Sequence, residues 1–375
     1  MKIVLAPDKY KGSLTGIEFC NATAEGIQSI LPQAEIIKMP LADGGDGTID
    51  ILDYHLQGER IELEVNDPLF RPIKASYFYI KSIVTAYIEM AEASGLNLLS
   101  SEDQNCMFTT SLGTGELISN AIRKGAKTIV LGIGGSATND CGIGMAKALG
   151  YRFFDKNGKD IIPIGKNLSK IEKIDASNVN NELEKVTFKV ACDVANPLYG
   201  PDGAAFVYAP QKGASTVEVN LLDKGLEHVA NIILNNYNID LQKIKGTGAA
   251  GGMGAGSLVF LKAELLSGID LVKEIIDFDN KIMGADWIIT GEGKLDTQTL
   301  SGKTIQGVLT SAKKNDIPVA ALCGSISLTK EAVKDFGIAY AASILDQAKS
   351  IDDAMLNSYV YLSRIAADFA KNHIG

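Results

Sequence analysis

Histidine is scarce in this sequence, and its cysteines are widely spaced. The three histidines are scattered along the chain, and no two of the five cysteines have the spacing of a zinc site or a redox pair. We therefore expect neither a zinc centre nor a histidine-based catalytic triad, so that any general base would be a carboxylate. The same cysteine pattern predicts a reduced, cytoplasmic protein.

Long apolar runs and an excess of positive charge are also missing. No segment reaches the length of a membrane span, and the first residues lack the apolar stretch and cleavage site of a signal peptide. The formal net charge of −9 argues against a nucleic acid or an anionic membrane as a partner. We therefore expect small-molecule partners and either a monomer or a homodimer.

Glycine, in contrast, is abundant, with 38 residues against 10 prolines. The glycines form clusters without a period, which is typical of backbone that faces a ligand. In the clearest cluster, a predicted strand at 128–131 is followed by Gly132, Gly134 and Gly135 and then by a predicted helix at 143–149. Such a helix start presents backbone N–H groups and is suited to an anion.

The order of the predicted elements indicates an α/β fold. Strands and helices alternate at both ends of the chain, which predicts a Rossmann-like, doubly wound parallel sheet. Three strands with short turns between residues 60 and 90 predict a mixed sheet in the middle. We therefore expect a discontinuous Rossmann-like domain of residues 1–60 plus 282–375, an inserted α/β domain of residues 61–281, and an active site in the cleft between them.

Several of the predicted strands end in a carboxylate next to glycine or lysine. These carboxylates are Asp8, Asp43 with Asp46, Asp140, Asp193, and Glu292 with Asp296. Ligands of open α/β sheets gather at the carboxyl ends of the strands. Backbone amides and lysines suit phosphate oxygens, whereas carboxylates suit a magnesium ion that keeps several waters. The combination predicts phosphoryl transfer.

The first glycine cluster also permits a different interpretation. Residues 132–137 match the dinucleotide-binding fingerprint, and Asp155 lies at the distance expected for a ribose contact. However, Lys-Asn-Gly follows Asp155 and predicts a hairpin, so that the second half of the βαβ unit is missing. A nicotinamide-dependent oxidoreductase of a small hydroxy acid is therefore an alternative hypothesis. A non-catalytic protein that binds a phosphorylated metabolite is another, although the many carboxylates argue against it.

Six motifs are spread in order over nearly the whole chain. They are Ala6–Leu14, Leu41–Thr48, Gly132–Asp140, Ala191–Leu198, Gly246–Gly252 and Ile289–Asp296. In sequence and spacing they resemble the motifs of bacterial glycerate kinases of the type-1 family. The resemblance implies a two-domain kinase that uses ATP and Mg²⁺ to phosphorylate an organic acid, D-glycerate. It favours the 2-hydroxyl as the acceptor, with the 3-hydroxyl as the alternative.

Under this hypothesis the candidate residues fall into three groups. Asp193 is the first choice for the general base because it ends a buried strand, although capping of the turn at Asn196 is an alternative role, and Lys9 is the other catalytic candidate. The expected substrate- and phosphate-binding residues are Lys11, Ser13, Gly134, Gly135, Ser136, Thr138, Asn139, Gly251, Gly252, Glu292 and Lys294. The expected magnesium ligands are Asp43, Asp46 and Asp296.

Overall fold

The computed structural model describes residues 1–10, 12–45, 47–296 and 303–374. The chain forms two compact units. Unit 1 contains Met1–Leu56 and Ser267–Gly375, and unit 2 contains Gln57–Leu266. Among the described residues, no helix is long and apolar enough to cross a membrane.

The strands of the described ranges are mostly short. They are β1 (Lys2–Leu5), β2 (Glu35–Lys38), β3 (Glu59–Asn66), β4 (Pro72–Ile80), β5 (Thr85–Glu89), β6 (Thr128–Gly132), β7 (Arg152–Phe154), β8 (Lys173–Asp175), β9 (Thr187–Ala191), β10 (Glu264–Leu266), β11 (Trp287–Thr290), β12 (Lys294–Leu295), β13 (Val319–Cys323), β14 (Ser325–Ile326) and β15 (Tyr340–Ser343).

The helices of the same ranges connect these strands. They are α1 (Gly16–Ile30), α2 (Thr48–Leu56), α3 (Ala91–Ser94), α4 (Leu112–Arg123), α5 (Ile143–Ala148), α6 (Ala204–Tyr208), α7 (Thr216–Tyr237), α8 (Ala249–Phe260), α9 (Gly268–Ile275), α10 (Phe278–Lys281), α11 (Lys303–Lys314), α12 (Lys330–Asp335), α13 (Ile351–Leu356) and α14 (Ser358–Phe369). Short 3-10 turns include Lys81–Ile83 and Pro210–Lys212.

Unit 1 is built on a parallel five-stranded sheet in the order β15-β13-β11-β1-β2. Counted within this unit, that order is 2-1-3-4-5, which is the flavodoxin-like form of a doubly wound sheet. Ile3 and Leu5 pack with α1 and α14 in one core cluster. Val4 between them is also buried but lies outside that cluster, so the sheet is covered on both faces.

Unit 2 contains a six-stranded sheet in the order β10-β9-β6-β5-β4-β3. The β3-β4 and β4-β5 pairs are antiparallel, whereas β5, β6, β9 and β10 pair in parallel. One core cluster packs α4 on this sheet, and a second joins α5, α7 and α8. The predicted α/β fold with a doubly wound parallel sheet and a separate mixed sheet is therefore confirmed.

Local patterns account for several element boundaries. The side chain of Thr15 accepts a hydrogen bond from the backbone N of Glu18 at 3.1 Å, and the Glu18 carboxylate accepts one from the backbone N of Thr15 at 2.8 Å, which forms a capping box. After Asp155 the chain turns back, because the backbone N of Asp155 donates to the carbonyl of Lys159 at 3.0 Å. The predicted hairpin is confirmed, and no helix follows Asp155.

The structural units differ from the expected domain ranges mainly at residues 267–281. The helix α9 in this segment packs against α2 and α11, and the Cα of Gly268 lies so close to Asp43 that an added Cβ would be 1.9 Å from its carbonyl oxygen. Since α2, α11 and Asp43 all belong to unit 1, the segment is grouped with unit 1 and not with the inserted unit.

Candidate functional site

A cavity of about 1300 Å³ opens at the carboxyl ends of the strands in unit 1. Its polar lining comes from the segments that follow successive strands. These residues include Asp8 and Lys9 after β1, Asp43 and Gly45 after β2, Glu292, Lys294 and Asp296 after β11, Ser325 after β13, and Thr304 of α11. The order of the sheet reverses between β1 and β11, and ligands of open α/β sheets bind at such a point.

Asp8 lies at the polar end of this cavity. Its carboxylate accepts hydrogen bonds from the Thr304 hydroxyl and from the backbone N of Lys9, each at 2.7 Å. Burial raises the pKa of Asp8, the two hydrogen bonds lower it in part, and the nearby negative charge of Asp43 raises it further. Two carboxylates in one cavity favour a cation beside them, and Mg²⁺ commonly binds through one or two carboxylates plus waters.

The expected magnesium ligands are only partly described. The Asp43 carboxylate accepts a hydrogen bond from the backbone N of Gly45 at 3.1 Å. Asp296 pairs with Lys294, whose ammonium is 3.0 Å from its carboxylate, while Asp46 lies outside the described residues. Within the described ranges, no group of three His, Cys, Asp or Glu side chains is arranged to hold a metal ion. Asp8 and Asp43 offer carboxylate oxygens, which are the kind of ligand through which Mg²⁺ binds when it keeps several waters.

The expected anion-binding residues of unit 1 line the same cavity. Lys9 follows β1, but its ammonium lies close to the loop that follows β2. A Cβ added to Gly47 of that loop would be 3.6 Å from the Nζ of Lys9. The Ser13 hydroxyl donates to the carbonyl of Met355 at 3.3 Å. Tyr10 and Glu292 both line the cavity, and the pKa of the buried Tyr10 hydroxyl is raised by burial first, then by Cys323 and Glu292. Lys11 lies outside the described residues.

The glycine cluster of unit 2 forms a loop, residues 133–142, between β6 and α5; we call it the glycine loop. Gly134 and Gly135 are exposed, whereas Ser136, Thr138 and Asn139 are buried. Gly135 has φ of +70°, and a Cβ added to Gly134 would have no atom within 4 Å. Both glycines are therefore exposed, and the space beside Gly134 is open to a ligand.

The start of α5 differs from the expectation that it receives an external anion. The Asp140 carboxylate accepts hydrogen bonds from the backbone N of Gly142 at 3.1 Å and of Gly144 at 3.2 Å, and the Ser111 hydroxyl accepts one from the backbone N of Met145. The expectation is wrong for this helix, because the anion at its N-terminus is the protein's own Asp140. Burial raises the pKa of Asp140. Hydrogen bonds that its carboxylate accepts from the backbone N and the hydroxyl of Ser111, each at 2.8 Å, and from the backbone N of Gly142 and Gly144 lower it in part.

Two neighbouring side chains of the glycine loop carry buried polar atoms without partners. The Thr138 hydroxyl and both polar atoms of the Asn139 amide have no hydrogen-bond partner within the described part of the chain. Buried polar atoms normally have partners, and exceptions need a specific explanation such as a ligand or an ordered water. This observation supports the assignment of Thr138 and Asn139 as ligand-binding candidates.

Lys212 holds the glycine loop in place and was not found by sequence analysis. Its ammonium donates to the Ser136 hydroxyl at 2.7 Å and to the Thr138 carbonyl at 2.8 Å. Burial lowers the pKa of Lys212 to about 8, although the nearby Cys106 and Asp140 raise it in part. Lys212 is followed by Gly213, whose φ is +85°. A glycine after a lysine is too common in sequences to identify a buried lysine that anchors a loop.

Gly251 and Gly252 lie behind the glycine loop, in a stretch of α8 with left-handed backbone. A Cβ added to Gly251 would be 2.1 Å from the carbonyl oxygen of Thr138, and one added to Gly252 would be 2.9 Å from the Cα of Cys141. The carbonyl of Gly251 also accepts a hydrogen bond from the backbone N of Cys141 at 3.0 Å. Close packing of two backbone segments therefore requires these glycines, whether or not a ligand is bound.

Asp193 follows β9 and is exposed. The backbone N of Cys192 before it donates to the carbonyl of Leu266 at 2.8 Å, which continues the pairing of β9 with β10 up to this point. In the turn that follows, the Asn196 amide donates to the carbonyl of Asp202 and accepts from the Tyr208 hydroxyl at 2.6 Å. Because Asp193 is exposed, it is accessible from solvent.

The doubly wound sheet of unit 1 has carboxylates and a lysine at the ends of its strands, and unit 2 carries an exposed glycine loop. These features are suited to binding small molecules. The model of the glycerate kinase family matches residues 3–373. Glycerate kinase of Bacillus subtilis (strain 168) is 44% identical over 99% of this chain and 97% of its own length. Glycerate 2-kinase of Escherichia coli (strain K12) is 41% identical over the same shares.

A solved structure agrees with these sequence comparisons. The crystal structure of a protein assigned as glycerate kinase 2 from Salmonella typhimurium LT2 has a TM-score of 0.88 and 39% identity, over 99% of this chain and 97% of that one. The chain belongs to the glycerate kinase family and is a phosphotransferase. This membership and the hairpin after Asp155 both argue against the nicotinamide-dependent hypothesis.

Proposed function

We propose that the protein transfers the γ-phosphoryl group of ATP to the 2-hydroxyl of D-glycerate and releases 2-phospho-D-glycerate and ADP. The observation that carries this proposal is the large cavity of unit 1, in which Asp8, Asp43 and Lys9 combine carboxylates for a metal with a cation for phosphate. The name of the Escherichia coli relative, glycerate 2-kinase, supports the choice of hydroxyl.

Magnesium fits the donors at the polar end of the cavity. We propose that Asp43 holds it, with Asp46 and Asp296 as further ligands and Asp8 beside them. The ion would neutralise negative charge on the phosphates. The raised pKa of Asp8 supports this assignment, because desolvation and the charge of Asp43 destabilise its ionised form until a cation is near.

Lys9 and Ser13 are proposed to hold anionic oxygens in the cavity of unit 1, together with Glu292 and Lys294 as polar contacts. Lys11 is proposed to bind the same anionic groups. In unit 2, the open backbone at Gly134 and Gly135 and the side chains of Ser136, Thr138 and Asn139 are proposed to bind the other anionic groups. The partnerless buried atoms of Thr138 and Asn139 support this role. Gly251 and Gly252 would contribute by supporting the loop from behind.

Asp193 is the proposed general base. The hydroxyl of glycerate would transfer its proton to the Asp193 carboxylate while its oxygen forms a bond to the γ-phosphorus. The bond from that phosphorus to the bridging oxygen breaks, and ADP leaves with the electron pair. The exposed position of Asp193 after β9 is compatible with this role.

The proposed reaction is tested by incubating the protein with D-glycerate and ATP, with and without Mg²⁺. ADP release should require both glycerate and Mg²⁺, and ³¹P NMR of the product should give the 2-phosphate. A 3-phosphate would replace the proposed acceptor with the alternative. Absence of ADP release with every combination would refute the kinase assignment.

The role of Asp193 is tested separately by Asp193→Asn. We expect kcat to fall by about 10² or more with little change in the thermal midpoint, because the amide cannot accept the proton. Asp202→Asn is the matched control, since Asp202 is an exposed aspartate of the neighbouring turn. Near-normal turnover of Asp193→Asn would exclude it as the base.

A further inference from the structure

The cavity of unit 1 has an apolar wall that the proposed roles of its polar residues do not use. We define the apolar wall by the residues Leu14, Ile344, Leu345, Ile351, Ala354 and Met355. Ile351 and Met355, both on α13, are 65% and 46% exposed although they line a cavity. Exposed apolar side chains that line a concave site next to polar groups are typical of ligand-binding sites.

The cavity is larger than glycerate alone would fill. Small-molecule sites commonly have volumes of roughly 300–1,000 Å³, and this cavity measures about 1300 Å³. Glycerate is a three-carbon acid with a hydroxyl or carboxylate on every carbon, so it has no apolar face to bury against Met355 or Ile351. The wall therefore suits a larger ligand that is charged at one end and apolar at the other.

The polar end and the apolar wall are connected by one short segment after β1. Asp8 and Lys9 lie at the polar end. A few residues later, a Cβ added to Gly12 would be 3.5 Å from the Cε of Met355, and the Ser13 hydroxyl donates to the Met355 carbonyl. A ligand that extends along this segment would contact the lysine at one end and the methionine at the other.

We propose that the apolar wall binds the nucleobase of the phosphoryl donor, with the phosphates at the Asp8 and Lys9 end. The inference rests on the proposed function, which supplies ATP as the donor. A purine has a flat apolar face and a polar chain of ribose and phosphates, which matches the two ends of the cavity. Methionine suits this contact, because its sulfur and unbranched side chain pack well on aromatic rings.

The wall is tested with Met355→Ser and Ile351→Ser by isothermal titration with ADP and, separately, with inorganic tripolyphosphate, both in the presence of Mg²⁺. Both variants should bind ADP about tenfold or more weakly, because apolar contact with the base is lost. Tripolyphosphate has no base, so its affinity should not change. Leu356→Ser is the matched control, since Leu356 is 86% exposed on the same helix and does not line the cavity.

Two results would overturn the inference. One is unchanged ADP affinity in both wall variants, and the other is an equal loss for ADP and tripolyphosphate, which would indicate a general disturbance of the cavity. Failure of the proposed function gives a different pattern, because the unmodified protein would then bind neither ADP nor ATP and would release no ADP with glycerate. Thermal midpoints establish that the variants are folded.

Discussion

Replacing Lys212 by methionine removes a positive charge that the fold buries almost completely, with 3% of the residue exposed. Methionine has a similar length and shape but carries no charge. The charged and titratable groups that act on the ammonium are Asp140 and Cys106. Burial raises the pKa of the Cys106 thiol to about 11, so this thiol stays uncharged over most of the alkaline range considered below.

The magnitude follows from the two pKa values of Lys212. Burial lowers its pKa from 10.5 to about 8. Between these values the unfolded chain holds a proton that the folded chain has lost, so the free energy of unfolding rises with pH. Below pH 8 the buried charge lowers the free energy of unfolding. This destabilisation decreases by about 3 kcal/mol as the pH rises from 8 towards 10.5. The neutral amine still donates to Ser136 and Thr138, so the glycine loop keeps its anchor.

The assay is urea unfolding of the wild type and of Lys212→Met from pH 7 to 10.5. We subtract the free energy of unfolding of the variant from that of the wild type. This difference should rise by about 3 kcal/mol across the range. The exposed Lys74 is the control, because a hydrogen bond to Glu62 raises its pKa. For Lys74→Met the same difference should stay nearly flat up to pH 10.5, since the stabilisation from a raised lysine pKa is lost only above the pKa of the unfolded chain. A flat or falling curve for Lys212→Met would refute the argument.

Two further predictions concern the backbone of unit 2 and the carboxylates of unit 1. Gly251→Ala should destabilise the protein by about 3 kcal/mol or more, because its Cβ would be 2.1 Å from a backbone oxygen of the glycine loop. Gly158→Ala, at φ +75° with no atom within 4 Å of an added Cβ, should cost only about 1 kcal/mol; equal losses in chemical denaturation would contradict the packing argument. Asp43→Asn should raise the Mg²⁺ concentration needed for half-maximal activity at least about tenfold and should lower the pKa of Asp8, whereas the exposed Asp50→Asn should do neither. An unchanged Mg²⁺ requirement would exclude Asp43 as a ligand.

The parts of the fold that sequence predicts correctly depend on local interactions. The capping box of Thr15 and Glu18 spans four residues, and the turn after Asp155 is closed by a hydrogen bond to Lys159. Alternating strands and helices at the two ends likewise indicate a parallel sheet, because parallel strands need crossover connections. The membership of residues 267–281 is not local, since it depends on the packing of α9 on helices that are distant in the sequence.

The candidate site is less predictable, because distant residues form its hydrogen bonds. The Thr304 hydroxyl donates to Asp8, which is 296 positions away, and Lys212 donates to Ser136, which is 76 positions away. A sequence pattern identifies Asp8 as a carboxylate after a strand, but it cannot show that a buried lysine anchors the glycine loop. The role of the Ser111 hydroxyl as an acceptor at the start of α5 is not predictable for the same reason, since Ser111 lies 34 positions before Met145.

The abundance of glycine has two physical causes that sequence alone does not separate. At Gly251 an added Cβ would overlap the protein's own backbone, whereas at Gly134 it would extend into open space. The first glycine is required by packing, and only the second leaves backbone accessible to a ligand. The partnerless side chain of Asn139 lies on the same loop as Gly134. We therefore assign the proposed ligand contacts of this glycine-rich region to the glycine loop, against which the second glycine cluster packs.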